Sequence, residues 1–158
     1  RVMNDKIRSR EILKYYLCIT LGRPTPAEGT LSGYLFKDES KKQVFVRRVP
    51  SPGAKTAITH YKTLLSRGAL SLVECELMTG RTHQIRAQFA AAGHPLLGDG
   101  KYGRGEINRR YGEEKQALYS YKLTFAFRTD AGALNYLNGK TVEIKNIPFC
   151  AKYFPDYH

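Results

Sequence analysis

The sequence predicts an α+β fold: a mixed, largely antiparallel sheet with few helices. Three observations carry that expectation. Most apolar stretches are rich in β-branched and aromatic residues and alternate at period two, short polar turns rather than long helical patterns separate them, and a helical period with start and stop signals appears only in the middle of the chain. A length of 158 residues suits one domain, large enough to bury a core without disulfides or metals.

The elements follow in order. Arg1 to Leu13 places Val2, Met3, Ile7, Ile12 and Leu13 among charges, which suits the end of an amphipathic helix that starts without a capping signal. KYYLCITLG (Lys14 to Gly22) is a buried strand ending in a Gly/Pro loop. GTLSGYLF and KQVFVRRV (Gly29 to Phe36, Lys42 to Val49) flank the charged turn KDESK as a hairpin, and TAITHYKTLLS and ALSLVECELM form a second antiparallel pair across Arg67-Gly68. HQIRAQFAAAG is helical, with Thr82 as its cap, Ile85 and Phe89 on one face and Gly93 as its stop. HPLLGDGKYG is a loop of tight turns, and GRGEINRRYGEEKQ is too polar to bury, hence a surface excursion. ALYSYKLTFAF alternates again, and NYLNGKTVEIKNI closes the chain with a hairpin around Asn138-Gly139.

Composition narrows the function. Lysine and arginine number 26 against 14 acidic residues, a net charge of +12, and a polyanionic partner is the economical reason for such an excess. No apolar run approaches the roughly 20 residues of a membrane span, so nucleic acid is favoured over a membrane. Cys18, Cys75 and Cys150 are widely separated, sit in apolar, strand-like contexts and have no zinc spacing with the histidines, so they are expected to be buried thiols in a reducing compartment, with no metal. The first residues lack the apolar core of a signal peptide, and a cytoplasmic location is expected.

The densest stretch is LMTGRTHQIRAQFAAAGHPLLGDGKYG, Leu77 to Gly103. TGRTHQIR puts Arg81 and His83 at the start of the helix and Arg86 one turn in, where backbone N–H groups already favour an anion. A phosphate, or a carboxylate held by an arginine fork, is what this arrangement binds. Taken singly, His83 suits a hydrogen-bonding support, His94 a structural turn, and Asp99 a turn whose side chain binds its own backbone.

These residues carry a resemblance. TGRTHQIR followed by GHPLLGDGKYG resembles the third motif of the RluA family of RNA pseudouridine synthases, KYYLCITLG resembles that family's K.Y strand, and GAKTAITHYKTLL its A.T.Y segment; the likeness runs from Arg8 to Phe127. It implies a pseudouridine-synthase-like catalytic domain that detaches uridine at N1 and rejoins it through C5, without a cofactor. By the same resemblance Tyr16 is the tyrosine that stacks on the base and assists proton loss at C5, and Arg86 pairs with the catalytic aspartate. Lys14, Arg81, Thr82, His83, Gln84, Lys101 and Tyr102 are the expected RNA contacts, in ribosomal or transfer RNA. Arg47-Arg48, Lys41-Lys42, Arg104 and Arg109-Arg110 are further basic contributors.

The resemblance also departs from the family pattern. Its aspartate lies in a run resembling HRLD..TSG upstream of the K.Y strand, and no such run stands in this sequence. Residues 1–158 are therefore expected to be a single, N-terminally truncated part of the catalytic domain, inactive alone, with apolar surface that invites association. A non-catalytic RNA-binding module of the same fold is the alternative. A phosphodiesterase using His83 and His94 is weaker, because one histidine stands at the helix start and the other beyond its end.

Overall fold

The computed structural model describes residues 2–157, apart from the side chains of Asn4, Ile7 and Arg8. Seven strands form one sheet: β1 (Ile12–Leu21), β2 (Glu28–Asp38), β3 (Gln43–Arg47), β4 (Lys55–Arg67), β5 (Leu70–Leu77), β6 (Leu118–Phe125) and β7 (Thr141–Glu143). Their order is β3-β2-β4-β5-β1-β6-β7, and every pairing is antiparallel. The helices are α1 (Val2–Arg8), α2 (Gln84–Ala91), α3 (Gly105–Tyr111) and α4 (Pro148–Tyr153), with a 3-10 turn over Gly132–Leu137. None is long and apolar enough to cross a membrane among the described residues.

Strand alternation divides the core. On β1, Leu17, Ile19 and Leu21 pack with Leu70, Leu72, Leu97, Ile147, Cys150 and Phe154 under the C-terminal helix. Cys18 faces the other way and joins Val73, Cys75, Ile85, Phe89 and Leu96 under α2. Phe89 is almost fully buried and meets the Tyr61 ring edge-on at 5.6 Å.

Several expectations need correction. Ile12 and Leu13 belong to β1 rather than to the first helix, because α1 ends at Arg8 and Arg10 takes a left-handed φ of 63° that breaks the helical path. Val2 and Met3 are exposed, so they make no buried face, and Ile7's side chain lies outside the described residues. What holds this segment is polar: Glu11 accepts from Lys6 Nζ (3.1 Å), from the Arg128 and Thr129 amides (2.7 and 3.0 Å) and from Ser9. The hydroxyl of Ser9 and the Arg128 amide lead in drawing the Glu11 carboxyl far below the usual carboxylate range.

The polar run after Gly103 is not a mere excursion. It forms α3, whose Asn108 is buried: its side-chain oxygen accepts from the Gly98 amide (2.8 Å) and its side-chain nitrogen donates to the Asp99 carbonyl (3.1 Å). The last hairpin is real but short, since residues 135–137 are 3-10 and only Thr141–Glu143 pair with β6. All three cysteines are buried free thiols, yet Cys150 lies on a helix rather than in a strand. The exposed large apolar side chains are scattered, with Val49 and Tyr136 the most open and Tyr119, Val142 and Ile144 also uncovered.

Candidate functional site

The site is built on the loop, helix and turn that run from Gly80 to Gly103. The expected Thr82 cap is replaced: the N-cap is His83, with a left-handed φ of 53° and no side-chain cap, and Thr82 is exposed. The chain stops the helix as expected, for Gly93 has φ 88° and the amides of Gly93 and His94 bond back to Ala90 and Phe89. Two buried glutamines dock α2 onto the sheet. Gln84 donates to the Ile58 carbonyl and the Thr59 hydroxyl (both 2.9 Å) and accepts from the Thr79 hydroxyl (2.8 Å) and the Arg81 amide (3.0 Å). Its amide is therefore fully used, and this side chain is a strut rather than a group facing a ligand. Gln88 accepts from Thr59 and donates to the carbonyls of Leu31 and Ala57.

Arg86 does hold an aspartate, but one from within the chain. Its Nε and one terminal nitrogen donate to the two carboxylate oxygens of Asp99 at 2.8 and 3.0 Å, a fork on a carboxylate that is fully buried. Asp99 also accepts from the amides of Lys101 and Tyr102, both at 3.0 Å, as the expected Asx-type turn does. Burial pushes the Asp99 carboxyl up, but the Arg86 guanidinium and the two amides outweigh it, and the net shift is downward. The Asp99 contact likewise raises Arg86 against the opposing effect of burial.

Tyr102 closes this unit from the far side. Its ring lies 5.2 Å from the Arg86 guanidinium, and its oxygen accepts from the Val44 amide (2.8 Å). With that acceptor role filled, the phenolic proton goes to His83 Nδ1, 2.8 Å away, which assigns a neutral imidazole with its proton on Nε2. Burial, then the charges of Arg86 and Lys101, lower the His83 pKa and favour the same neutral ring. Lys101 is exposed and donates to the Lys42 carbonyl at 2.6 Å.

Lys14 and Tyr16 lie on the face of β1 that also carries Cys18, on the α2 side of the sheet. Tyr16 is half-buried at the edge of that cluster. Arg81 is exposed, with Nε donating to the Thr56 carbonyl at 2.9 Å. It stands between two basic hollows. One, of about 290 Å³, is lined by Arg10, Lys14 and Arg81 with Leu77 and Met78. The other, of about 190 Å³, is lined by Lys37, Lys55 and Arg81 beside Thr82. No acidic residue lines either one, and Tyr16 lines neither. Among the described residues, Arg10 pairs with Glu76 at 3.1 Å and Lys37 with the exposed Glu39 at 3.6 Å, and Lys14, Lys55 and Arg81 make no salt bridge.

The structure thus brings Arg86, His83 and Tyr102 into one contact unit and sets Lys14 and Arg81 in one hollow. His94 is apart from both, with Nδ1 on the Leu21 carbonyl at 3.0 Å, so the two histidines share no partner. Sequence reasoning missed Arg10, Lys37 and Lys55 as lining residues, since each sits singly in its own strand or turn. It also missed that Asp99 is the partner of Arg86, although both stand in one quoted motif.

Residues 1–91 match the family model described as RNA pseudouridylate synthase. The uncharacterized RNA pseudouridine synthase YhcT of Bacillus subtilis (strain 168) is 39% identical over 126 residues, which are 77% of this chain and 39% of that protein. Ribosomal large subunit pseudouridine synthase C of Rickettsia typhi (strain ATCC VR-144 / Wilmington) is 37% identical over 107 residues, 66% of this chain and 35% of that one. The chain spans about two fifths of the length of such curated relatives. Among solved structures, human RNA pseudouridylate synthase domain containing 4 superposes with a TM-score of 0.69 at 23% identity, over 92% of this chain and 62% of that one, which is a likeness of fold.

Proposed function

We propose, on the premise that the chain belongs to the RNA pseudouridylate synthase family, that it is one part of an RluA-type catalytic domain that isomerises uridine to pseudouridine in structured RNA, ribosomal RNA before transfer RNA. The observation that carries this reading is the folding of TGRTHQIR and GHPLLGDGKYG into one rigid unit beside the strand that bears Lys14 and Tyr16. The isomerisation breaks the bond between N1 and the ribose, turns the base, forms the bond from C5, releases the C5 proton and places a proton on N1. It needs no redox partner, and the chain is read as working without a cofactor.

Tyr16 is assigned to the flipped base and to the C5 proton. The roles of the two arginines divide by what each already holds. Arg86 has its fork on Asp99, so it acts as a positioning residue that fixes the α2 start through Asp99 and Tyr102. Arg81 keeps guanidinium N–H groups beyond its single bond to Thr56, and it is the cation assigned to the catalytic carboxylate or to RNA phosphate in the hollow shared with Lys14.

That carboxylate is assigned to a segment of the parent protein that this sequence does not hold. Asp99 is committed to Arg86, Asp38 to the Ser40 and Lys41 amides, and Asp130 to Gly132 and Asn135, while the exposed Asp5 and Asp156 do not line the hollow shared by Lys14 and Arg81. The 158-residue chain is accordingly inactive alone. Release of tritium from C5-labelled uridine in RNA tests this: no release from the isolated chain and release from the parent protein, lost on Tyr16→Phe, are expected. Turnover by the isolated chain would overturn the placement of the carboxylate. The acid-free hollow also suits a second reading, a non-catalytic RNA-binding module of the same fold, which predicts salt-sensitive RNA binding by the parent protein without any release.

A further inference from the structure

At the opposite end of α2 from Arg81 lies a slot of about 430 Å³, within the roughly 300–1,000 Å³ range of small-ligand sites. One wall is apolar, formed by Ile107 and Tyr111 of α3 with Leu21 and Ala69 facing them. Gly22 and Gly93 also line it, both at positive φ, and neither presents a side chain to the space. The rim is cationic. Arg104 is exposed and has no acidic partner among the described residues, and Arg110 has only the exposed Glu106 at 3.3 Å. His94 completes the lining: its Nδ1 donates to the Leu21 carbonyl, which can only accept, and this bond fixes the ring at the edge of the slot.

An apolar slot with an aromatic wall, an imidazole at its edge and two guanidinium groups at its mouth fits a ligand that is planar and carries a phosphodiester. We propose that this slot between the end of α2 and α3 holds an unpaired nucleotide of the substrate RNA, away from the nucleotide that reacts. The occupant is RNA rather than another anion by charge complementarity: the rim arginines extend the +12 surface of the chain. Helix α2 alone is about 12 Å long at 1.5 Å per residue, so the strand must pass along it to reach both ends. The inference rests on the reading of the chain as an RNA-modifying domain, and its test separates the two.

The experiment measures binding of a short fluorescent oligoribonucleotide by anisotropy across a salt series, for the chain and for R104A/R110A. K140A/K145A, two exposed lysines outside the slot, controls for the same loss of charge, and R104K/R110K restores it. R104A/R110A should weaken binding about tenfold and lower the salt slope by about 1.4, at about 0.7 per phosphate on a single strand. The control should do distinctly less, and a thiouridine in the oligonucleotide should cross-link to the peptide bearing Tyr111. Equal losses in both double variants, or full affinity in R104A/R110A, overturn the slot while leaving the RNA reading intact. Uridine monophosphate binding there with RNA affinity unmoved by R104A/R110A would make it a small-molecule site and overturn the proposal. Failure of the chain to bind RNA at all would overturn the proposal, while tritium release by the parent protein decides the functional reading separately.

Discussion

Arg86 and Asp99 meet through a two-point fork that ties the first turn of α2 to the turn following Leu97, across 13 residues of sequence. Removing one partner leaves a buried charge without compensation, which costs about 3 kcal/mol or more, whereas removing both costs less than the sum. Asp99→Asn and Arg86→Ala should therefore each lower urea-derived stability by about that amount, and the double variant should show coupling of the order of 1 kcal/mol or more. Additive losses would show that the fork contributes little beyond its surroundings.

Acid should loosen the same unit in two stages. His83 has a lowered folded pKa, so the unfolded chain binds more protons than the folded one below about pH 6.5, and stability falls as pH drops through that window. Asp99 is also lowered, so its contribution is intact above about pH 4 and is lost as pH falls further, toward its folded value. Melting temperature followed from pH 7 to pH 5 should decline in the native chain and decline less in His83→Gln; parallel curves would contradict the neutral assignment of His83.

The glycines of GDGKYG should behave differently from one another. A Cβ at Gly98, which has φ +83°, would lie 1.9 Å from the Lys115 carbonyl oxygen, while nothing lies within 4 Å of one at Gly100. Gly98→Ala should cost more than about 4 kcal/mol or prevent folding, and Gly100→Ala should stay within about 0.5 kcal/mol. Thermal melts of the two variants decide this, and similar melts would mean that the turn can shift bodily.

Arg81 and Lys55 line one basic hollow, and Arg81 lines a second. If they meet RNA phosphate, Arg81→Ala and Lys55→Ala should each reduce the salt slope of RNA binding by about 0.7 for a single strand, whatever the sequence of the RNA. Unchanged slopes with altered sequence preference would instead assign these side chains to base contacts.

Periodicity made the sheet legible, because a half-buried strand shows its two faces at every second residue, as β4 does around Ala57, Thr59 and Tyr61. It failed where few side chains carry the burial. Helix α3 hides in a polar run because Asn108 is its one buried residue, with Ile107 and Tyr111 only partly covered. Ile12 and Leu13 looked helical because apolar residues at the start of a strand and at the end of a helix have the same spacing over so few positions. The motif identified the residues of the site but not their partners. Nothing local distinguishes an arginine that waits for a carboxylate from one that already holds Asp99, and nothing local shows that Gln84 is buried.

The place of β1 between β5 and β6 has a consequence for how the chain reaches this state. Strand β1 is interior to the sheet, and both of its neighbours, Leu70–Leu77 and Leu118–Phe125, stand far later in the sequence. Loop closure over such separations is slow relative to local pairing. The β2–β3 and β4–β5 hairpins can form early, while Leu17, Cys18 and Ile19 wait uncovered until both flanks are present. Glu11 waits longest, since the amides that satisfy it lie 117 and 118 residues on. Folding of this domain is therefore governed by a late, long-range closure, and the interval before it is when β1 is most open to pairing with another chain.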